Sequence, residues 1–223
     1  MFRCNRYNGD MKTIIFDLDG TLCDTLADIT VSLNRVLAAK GYQAYSFAEV
    51  SGMVGRGAPH MIAAAAKGAT SEELSELSLA YFEDYARHLS DTTRPYAGIS
   101  ETLTELRARG FTLAVVTNKP HAHAVRLAQE LFPPHGQIFA RVQGQSQKFA
   151  TKPNPESLLF VLASLGVSPD EAIYVGDSDV DLAFAQNAGL PFVGCAWGYR
   201  GRERLLEAGA EVVIDKPEEL LKL

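Results

Sequence analysis

The sequence predicts an α/β fold: a Rossmann-like parallel sheet core with helices on both faces and an inserted α-helical cap domain. Three observations carry this. Short β-rich apolar runs recur without the clean alternation of a one-sided strand, which suits strands buried on both faces. Helical patterns lie between most of them, as right-handed βαβ units require. One long stretch, residues 24 to about 94, breaks the rhythm and holds no convincing strand.

The first strand is "TIIFD" at 13–17. The interrupting stretch reads as helices over 25–40, roughly 58–67 and 71–89, and its run "MIAAAAKGA" has high helix propensity. The expected division is therefore a discontinuous core, 1–23 and 95–223, around a cap at 24–94. Past the cap, strands are expected at 112–117, 138–142, 172–177, 191–195 and 211–215. "SETLTELRARG" ends in basic residues and a glycine stop, and "PESLLFVLASLG" opens on proline and closes on glycine. "SDVDLAFAQNAG" repeats that pattern.

The composition, 47% apolar and 22% charged over 223 residues, is that of one large globular domain or two small ones. No run approaches the roughly 20 apolar residues of a membrane span. The opening "MFRCNRYNGD" has no apolar segment of the signal-peptide kind and reads as a loose extension, so that Met11 could itself open the chain. The net charge of −6, with no long basic stripe, argues against a nucleic-acid partner. Cys4, Cys23 and Cys195 fit neither a disulfide framework nor a zinc site. Reduced thiols and a cytoplasmic location are the expectation. The expected assembly is a monomer or homodimer.

In an open parallel sheet, ligands bind beyond the carboxyl ends of the strands. Polar residues collect there: Asp17 and Asp19, Thr117 and Asn118, then Asp177 and Asp181, with Lys152 joining from a loop. In "DLDGT" two carboxylates flank one leucine, and a divalent cation would relieve their repulsion. Mg²⁺ suits one or two carboxylates plus substrate oxygens. Asp17 could supply one ligand and the main-chain carbonyl of Asp19 another. Gly20 permits a tight turn, and Thr21 could orient Asp19. A turn with a helix cap would use the same residue types.

In "GDSDVD", Asp177 lies closest to the sheet and is the better direct metal ligand. Asp181, one helical turn on, could hold a metal-bound water. Asp179 points elsewhere. Plain capping of a helix would also explain this cluster. Thr117 could donate its hydroxyl to a phosphate oxygen, unless it is only an N-cap. Lys152 in "TKPNPE" could hold an inward charge, with Lys119 and Lys148 as rivals. His60, His121 and His123 read as solvated or capping. Trp197 and Tyr199 read as core packing or as support for the metal loop. Cys23 has no obvious base beside it.

"FDLDGTLCDT", "VVTNK", "KPNPE" and "VGDSDVD" resemble, in order, the four motifs of the haloacid-dehalogenase (HAD) superfamily. "VGRG", "RPYAGI" and "CAWGYRGRERLLEAGAEVVIDKPEELL" extend the resemblance to the phosphoglycolate-phosphatase-like subgroup, from about residue 12 to the C-terminus. The region "FARVQGQSQKFA" departs from it, lacking the subgroup's glycine-glycine-aspartate. The resemblance implies a Mg²⁺-dependent phosphatase acting on a small phosphorylated metabolite. It implies Asp17 as the nucleophile and Asp19 as the acid, then base. It implies Mg²⁺ held by Asp17, Asp19, Asp177 and Asp181, and phosphate held by Thr117, Asn118 and Lys152. Asp19 favours an alkoxide leaving group over a halide, which needs no proton. A phosphomutase of β-phosphoglucomutase type, or a phosphate-binding protein without turnover, would share the fold. Arg56, between two glycines of "VGRG", could bind a substrate carboxylate, or pair with a core acid to hold the cap shut, or stay solvated.

Overall fold

The computed structural model describes residues 11–132 and 137–222. The amino-terminal extension with Cys4 lies outside the described residues. β1 (Thr13–Phe16) is fully buried, and its four residues pair on one side with β4 (Thr112–Pro120) and on the other with β6 (Ala172–Gly176), both in parallel. With β5 (Arg141–Gln145), β7 (Phe192–Cys195) and β8 (Val213–Ile214) the sheet runs β5-β4-β1-β6-β7-β8. Every pairing in it is parallel. The carboxyl ends of β1, β4 and β6 therefore lie side by side, where the direction of strand addition reverses.

Both faces are covered. Ile14, Phe16, Val115 and Val175 pack with α5 (Ile99–Ala108) and α6 (His121–Leu131) on one face. Ile15, Val116 and Tyr174 pack with α7 (Glu156–Leu165), α8 (Asp179–Ala188) and α9 (Gly201–Glu207) on the other. Two-sided burial is the physical reason the strand sequences lack alternation.

Between β2 (Cys23–Asp24) and β3 (Arg94–Pro95) the chain runs through α1 (Leu26–Ala39), α2 (Phe47–Met53), α3 (Ala58–Ala65) and α4 (Ser71–Arg87). β2 and β3 pair antiparallel, Cys23 with Pro95 and Asp24 with Arg94, so the helical segment leaves and returns at one point. The buried Asp28 of α1 reinforces that point. Its carboxylate accepts hydrogen bonds from the main-chain N–H and the hydroxyl of both Thr92 and Thr93, at 2.5–3.1 Å. Leu33, Leu37, Met61, Leu77, Tyr81 and Tyr85 of these helices continue the hydrophobic cluster of the α5–α6 face. Among the described residues no helix is long and apolar enough to cross a membrane.

Several elements differ from expectation, the short β2 and β3 and the longer β4 among them. The strand expected at 138–142 is displaced to Arg141–Gln145. Phe139 instead turns edge-on to Phe132, with ring centres 5.4 Å apart, and fills the core from a loop. Pairing with β4 then runs through Arg141, Val142 and Gln143 and resumes at Gln145 after a register shift, at the sheet edge. α2 was missed although Ser46 and Glu49 form a full capping box; at seven residues it is too short to show periodicity. α9 was missed as well, and buries only Leu205 among its residues.

Candidate active site

The site is a cleft between the carboxyl end of the sheet and the helices α1, α3 and α4. Asp17, Asp19, Thr117, Asn118, Lys119, Asp177, Ser178, Tyr199 and Arg200 line its core side, and Ile29, Val54, Met61, Tyr81 and Tyr85 the helical side. Asp17 follows β1 directly and is held there by its N–H, which donates to the Val175 carbonyl at 2.9 Å. The turn after it depends on Gly20, whose φ of +82° favours glycine and whose Cβ, if present, would lie 2.5 Å from Asp177 Oδ2. A Cβ on Gly198 would collide with Asp177 and with the Gly20 carbonyl. Asp177 thus sits in a cradle that only two glycines leave open.

Asp17, Asp177 and Asp181 are buried and each brings a carboxylate oxygen within 4.8 Å of the others. Lys152, its side chain 2% exposed, places Nζ 2.8 Å from Asp17 Oδ1 and 2.8 Å from Asp181 Oδ1. It also donates to the Tyr174 hydroxyl at 2.7 Å. Tyr174 sends its own hydrogen to the Val116 carbonyl at 2.6 Å, so its lone pairs face the lysine. Sequence reasoning did not find Tyr174, because it reads as one more apolar residue of a buried strand.

One lysine against three carboxylates leaves this cluster short of positive charge. Burial pushes the Asp17 carboxyl up to about 6, while Lys152 pulls it back and Asp181 raises it further. Burial, then the charges of Asp181 and Asp17, lift Asp177 well above the usual carboxylate range. Asp17 Oδ1 is off the hydrogen-bonding line to Lys152 and has no hydrogen-bond partner among the described residues. A carboxylate oxygen held by an ion pair without a hydrogen bond, and an excess of buried negative charge, both suit a divalent cation.

Asp181 is also part of a helix cap. Its Oδ2 accepts from the Ser178 hydroxyl at 2.6 Å and from the Ser178 N–H at 3.2 Å, and Ser178 caps α8 in return. Helix capping and the acidic cluster are thus the same residues. Thr21 does not orient Asp19: its hydroxyl donates to Asp177 Oδ1 at 3.3 Å. The hydroxyl of Thr25 takes that place on Asp19.

Thr117 is buried at the end of the regular β4–β1 pairing and its Oγ1 accepts from the Lys119 N–H at 3.2 Å, which leaves its hydrogen for the cleft. Asn118 lines the cleft, yet its amide is committed to the protein. It donates to the Gly55 carbonyl at 2.8 Å and accepts from the Lys152 N–H at 2.8 Å, tying the "VGRG" loop to the Lys152 loop. Arg56 does not reach the cleft. Its side chain is 55% exposed and meets Asp179 at 3.9 Å, while Arg200, which no sequence signal singled out, lines the cleft and donates to the carbonyls of Ser51 and Val54.

Trp197 and Tyr199 do support the acidic loops. Trp197 Nε1 donates to the Thr21 carbonyl at 3.0 Å, and the Tyr199 N–H donates to Asp177 Oδ2 at 2.8 Å. His60 is exposed, and His121 Nδ1 accepts from the Gly144 N–H at 3.2 Å. His123 is neither solvated nor capping: burial, then the Lys119 and Arg126 charges, press it down to about 4. Burial pushes the Cys23 thiol up, which suits an inert core residue.

Residues 14–195 match the haloacid dehalogenase-like hydrolase family. The chain belongs to that family. It is 35% identical to a phosphoglycolate phosphatase of Vibrio parahaemolyticus, over 96% of each chain. It is 33% identical to a phosphoglycolate phosphatase of Haemophilus influenzae, over 97% of this chain and 99% of that one. Its structure superposes with a TM-score of 0.87 on the crystal structure of a predicted phosphoglycolate phosphatase of Haemophilus somnus, at 29% identity, covering 96% and 97% of the two chains. These place this hydrolase in the phosphoglycolate-phosphatase-like subgroup of the superfamily, with its parallel α/β core.

Proposed function

We propose that this hydrolase is a Mg²⁺-dependent phosphatase that cleaves a small, phosphoglycolate-like phosphomonoester through an aspartyl-phosphate on Asp17, in the cytoplasm. The chain is a phosphoric monoester hydrolase by its family and relatives. The finer reading is carried by one observation: a buried carboxylate, Asp17, with an oxygen free of hydrogen bonds, opens into a cleft beside a second carboxylate and a buried lysine.

In this reading Asp17 attacks phosphorus in line, forming an O–P bond while the ester P–O bond breaks. Asp19 gives its proton to the departing alcohol oxygen. Water then attacks the phosphorus of the acyl phosphate, Asp19 takes the water's proton, and inorganic phosphate leaves with Asp17 restored. Lys152 and the Thr117 hydroxyl hold the phosphoryl oxygens, offsetting the charge that would otherwise repel a carboxylate nucleophile. Asp17, the main-chain carbonyl of Asp19 and Asp177 are the residues that would hold Mg²⁺, with Asp181 behind them. When bound, the ion supplies charge neutralisation between Asp17 and the phosphoryl group. Residues 24–94 serve as the cap that covers the leaving group and limits water.

The test is release of inorganic phosphate from phosphoglycolate and a panel of small phosphomonoesters, with Mg²⁺ and without any bisphosphate activator. Stoichiometric phosphate release is expected. A phosphoryl group that only migrates within a sugar phosphate, or binding without turnover, would overturn the proposal.

A further inference from the structure

The steps above use Lys152 and leave a second buried lysine without a part. Lys119 has a side chain 2% exposed. Its Nζ lies 2.8 Å from Asp19 Oδ1 and donates to the Tyr85 hydroxyl at 2.7 Å, and it stands 4.6 Å above the Tyr85 ring. Its third ammonium hydrogen has no hydrogen-bond partner among the described residues. Burying a lysine costs free energy that two partners only partly offset, so a cation kept here points to a charge it meets.

The other cations near the cleft are committed. Lys152 pairs with Asp17 and Asp181 and donates to Tyr174, and in the proposed reaction it meets the phosphoryl group rather than the leaving alcohol. Arg200 is fixed to the carbonyls of Ser51 and Val54, and Arg56 lies outside. Around Lys119 the helical wall is apolar or phenolic, with Ile29, Met61, Tyr81 and Tyr85. Among the described residues, Lys119 is the cation there left to meet a charged group on the leaving alcohol.

We propose that Lys119, anchored by Tyr85, is a specificity-determining residue that binds a carboxylate on the leaving alcohol. This rests on the phosphatase reading of the same cleft. Distance sets the class further. Asp19 must reach the ester oxygen to protonate it, and Lys119 Nζ is 2.8 Å from Asp19. A carboxylate on Lys119 is therefore a bond or two from that oxygen, which selects phosphate esters of short 2-hydroxy acids over those of neutral or long alcohols.

The experiment compares wild type, Lys119→Met and Lys119→Arg on phosphoglycolate and on ethyl phosphate, whose leaving group is similar in size and neutral. Binding is measured separately with the non-hydrolysable 3-phosphonopropionate and propylphosphonate. Lys119→Met should lower kcat/KM for phosphoglycolate about 10- to 150-fold more than for ethyl phosphate, the range of a charged hydrogen bond. It should also abolish the preference for the carboxylated phosphonate, and Lys119→Arg should keep part of both. Equal losses on the two esters, or an unchanged preference between the phosphonates, would overturn the inference. Should Lys119→Met not fold, Tyr85→Phe keeps the charge, frees its anchor and should show a smaller loss of the same selectivity; no change in selectivity overturns the role. Wild type that hydrolyses neither ester defeats the phosphatase reading instead, and the phosphonate affinities still decide Lys119.

Discussion

Thr25 donates its hydroxyl to Asp19 Oδ1 at 2.7 Å, from the residue that opens α1. The aspartate two residues past Asp17 is thereby fixed by the first residue of the helical segment, and Tyr199, 2.9 Å from the same hydroxyl, fixes Thr25 in turn. Thr25→Val removes this bond with little change of shape. It should lower kcat by roughly tenfold, as the loss of one hydrogen bond to a charged group predicts. Asp19→Asn should cost far more, and most on substrates with poor leaving groups. Rates on nitrophenyl phosphate and alkyl phosphates check both. Equal loss on the two substrate types in Asp19→Asn would remove Asp19 from the role of acid.

Asp17→Asn keeps the shape of the proposed nucleophile and removes its charge. Activity should fall by several orders of magnitude with the fold intact, read by phosphate release alongside circular dichroism. Turnover within tenfold of wild type would take Asp17 out of the chemistry.

Mg²⁺ should activate and Ca²⁺ inhibit. Ca²⁺ accepts more ligands in looser geometry and could draw both oxygens of Asp17 off line. Full activity after chelation, or with Ca²⁺ as the sole divalent ion, would contradict this.

The acidic cluster should also couple metal binding to pH. Burial raises Asp17 from 3.8 to about 6 and lifts Asp177 in the same direction. A raised carboxyl binds its proton more tightly folded than unfolded, so its contribution to stability is greatest in acid and falls as pH rises through that window. A divalent cation takes the proton's place. The gain in Tm on adding Mg²⁺ should therefore grow as pH rises from about 4 to above 6. A gain that is constant across this range would show that these carboxylates do not hold the ion.

Asp28 makes an opposite prediction. Burial alone would raise its carboxyl, but the hydrogen bonds from Thr92 and Thr93 outweigh it and hold it below the ordinary value. Its stabilisation is thus present above the unfolded pKa and lost as pH falls through the folded one. Asp28→Ala leaves four donors unsatisfied at the point where the helical segment joins the core, and should destabilise by about 3 kcal/mol in urea unfolding. A change under 0.5 kcal/mol would mean water replaces the carboxylate without cost.

By itself the sequence determined the alternating α/β order, the helical interruption and the strand ends and loops that carry Asp17, Thr117, Lys152 and Asp177. These are local properties: buried strands show as apolar runs, helix ends show as capping residues, and Gly20 marks a turn that a side chain would block. It misplaced β5, since Ile138 and Phe139 are apolar for the core and not for the sheet. What each site residue touches was decided only by tertiary structure. Thr21 and Thr25 are both plausible partners for Asp19 along the chain, and the approach of Tyr199 and Asp177 from the other end decides between them. Arg56 and Lys119 are both cations beside turn-forming residues, one between two glycines and the other before the proline that ends β4. One points outward to Asp179, while the other is enclosed because α4 lays Tyr85 over it. Such contacts join residues far apart in sequence through helix packing, and packing depends on the summed shape of many side chains rather than on any short motif.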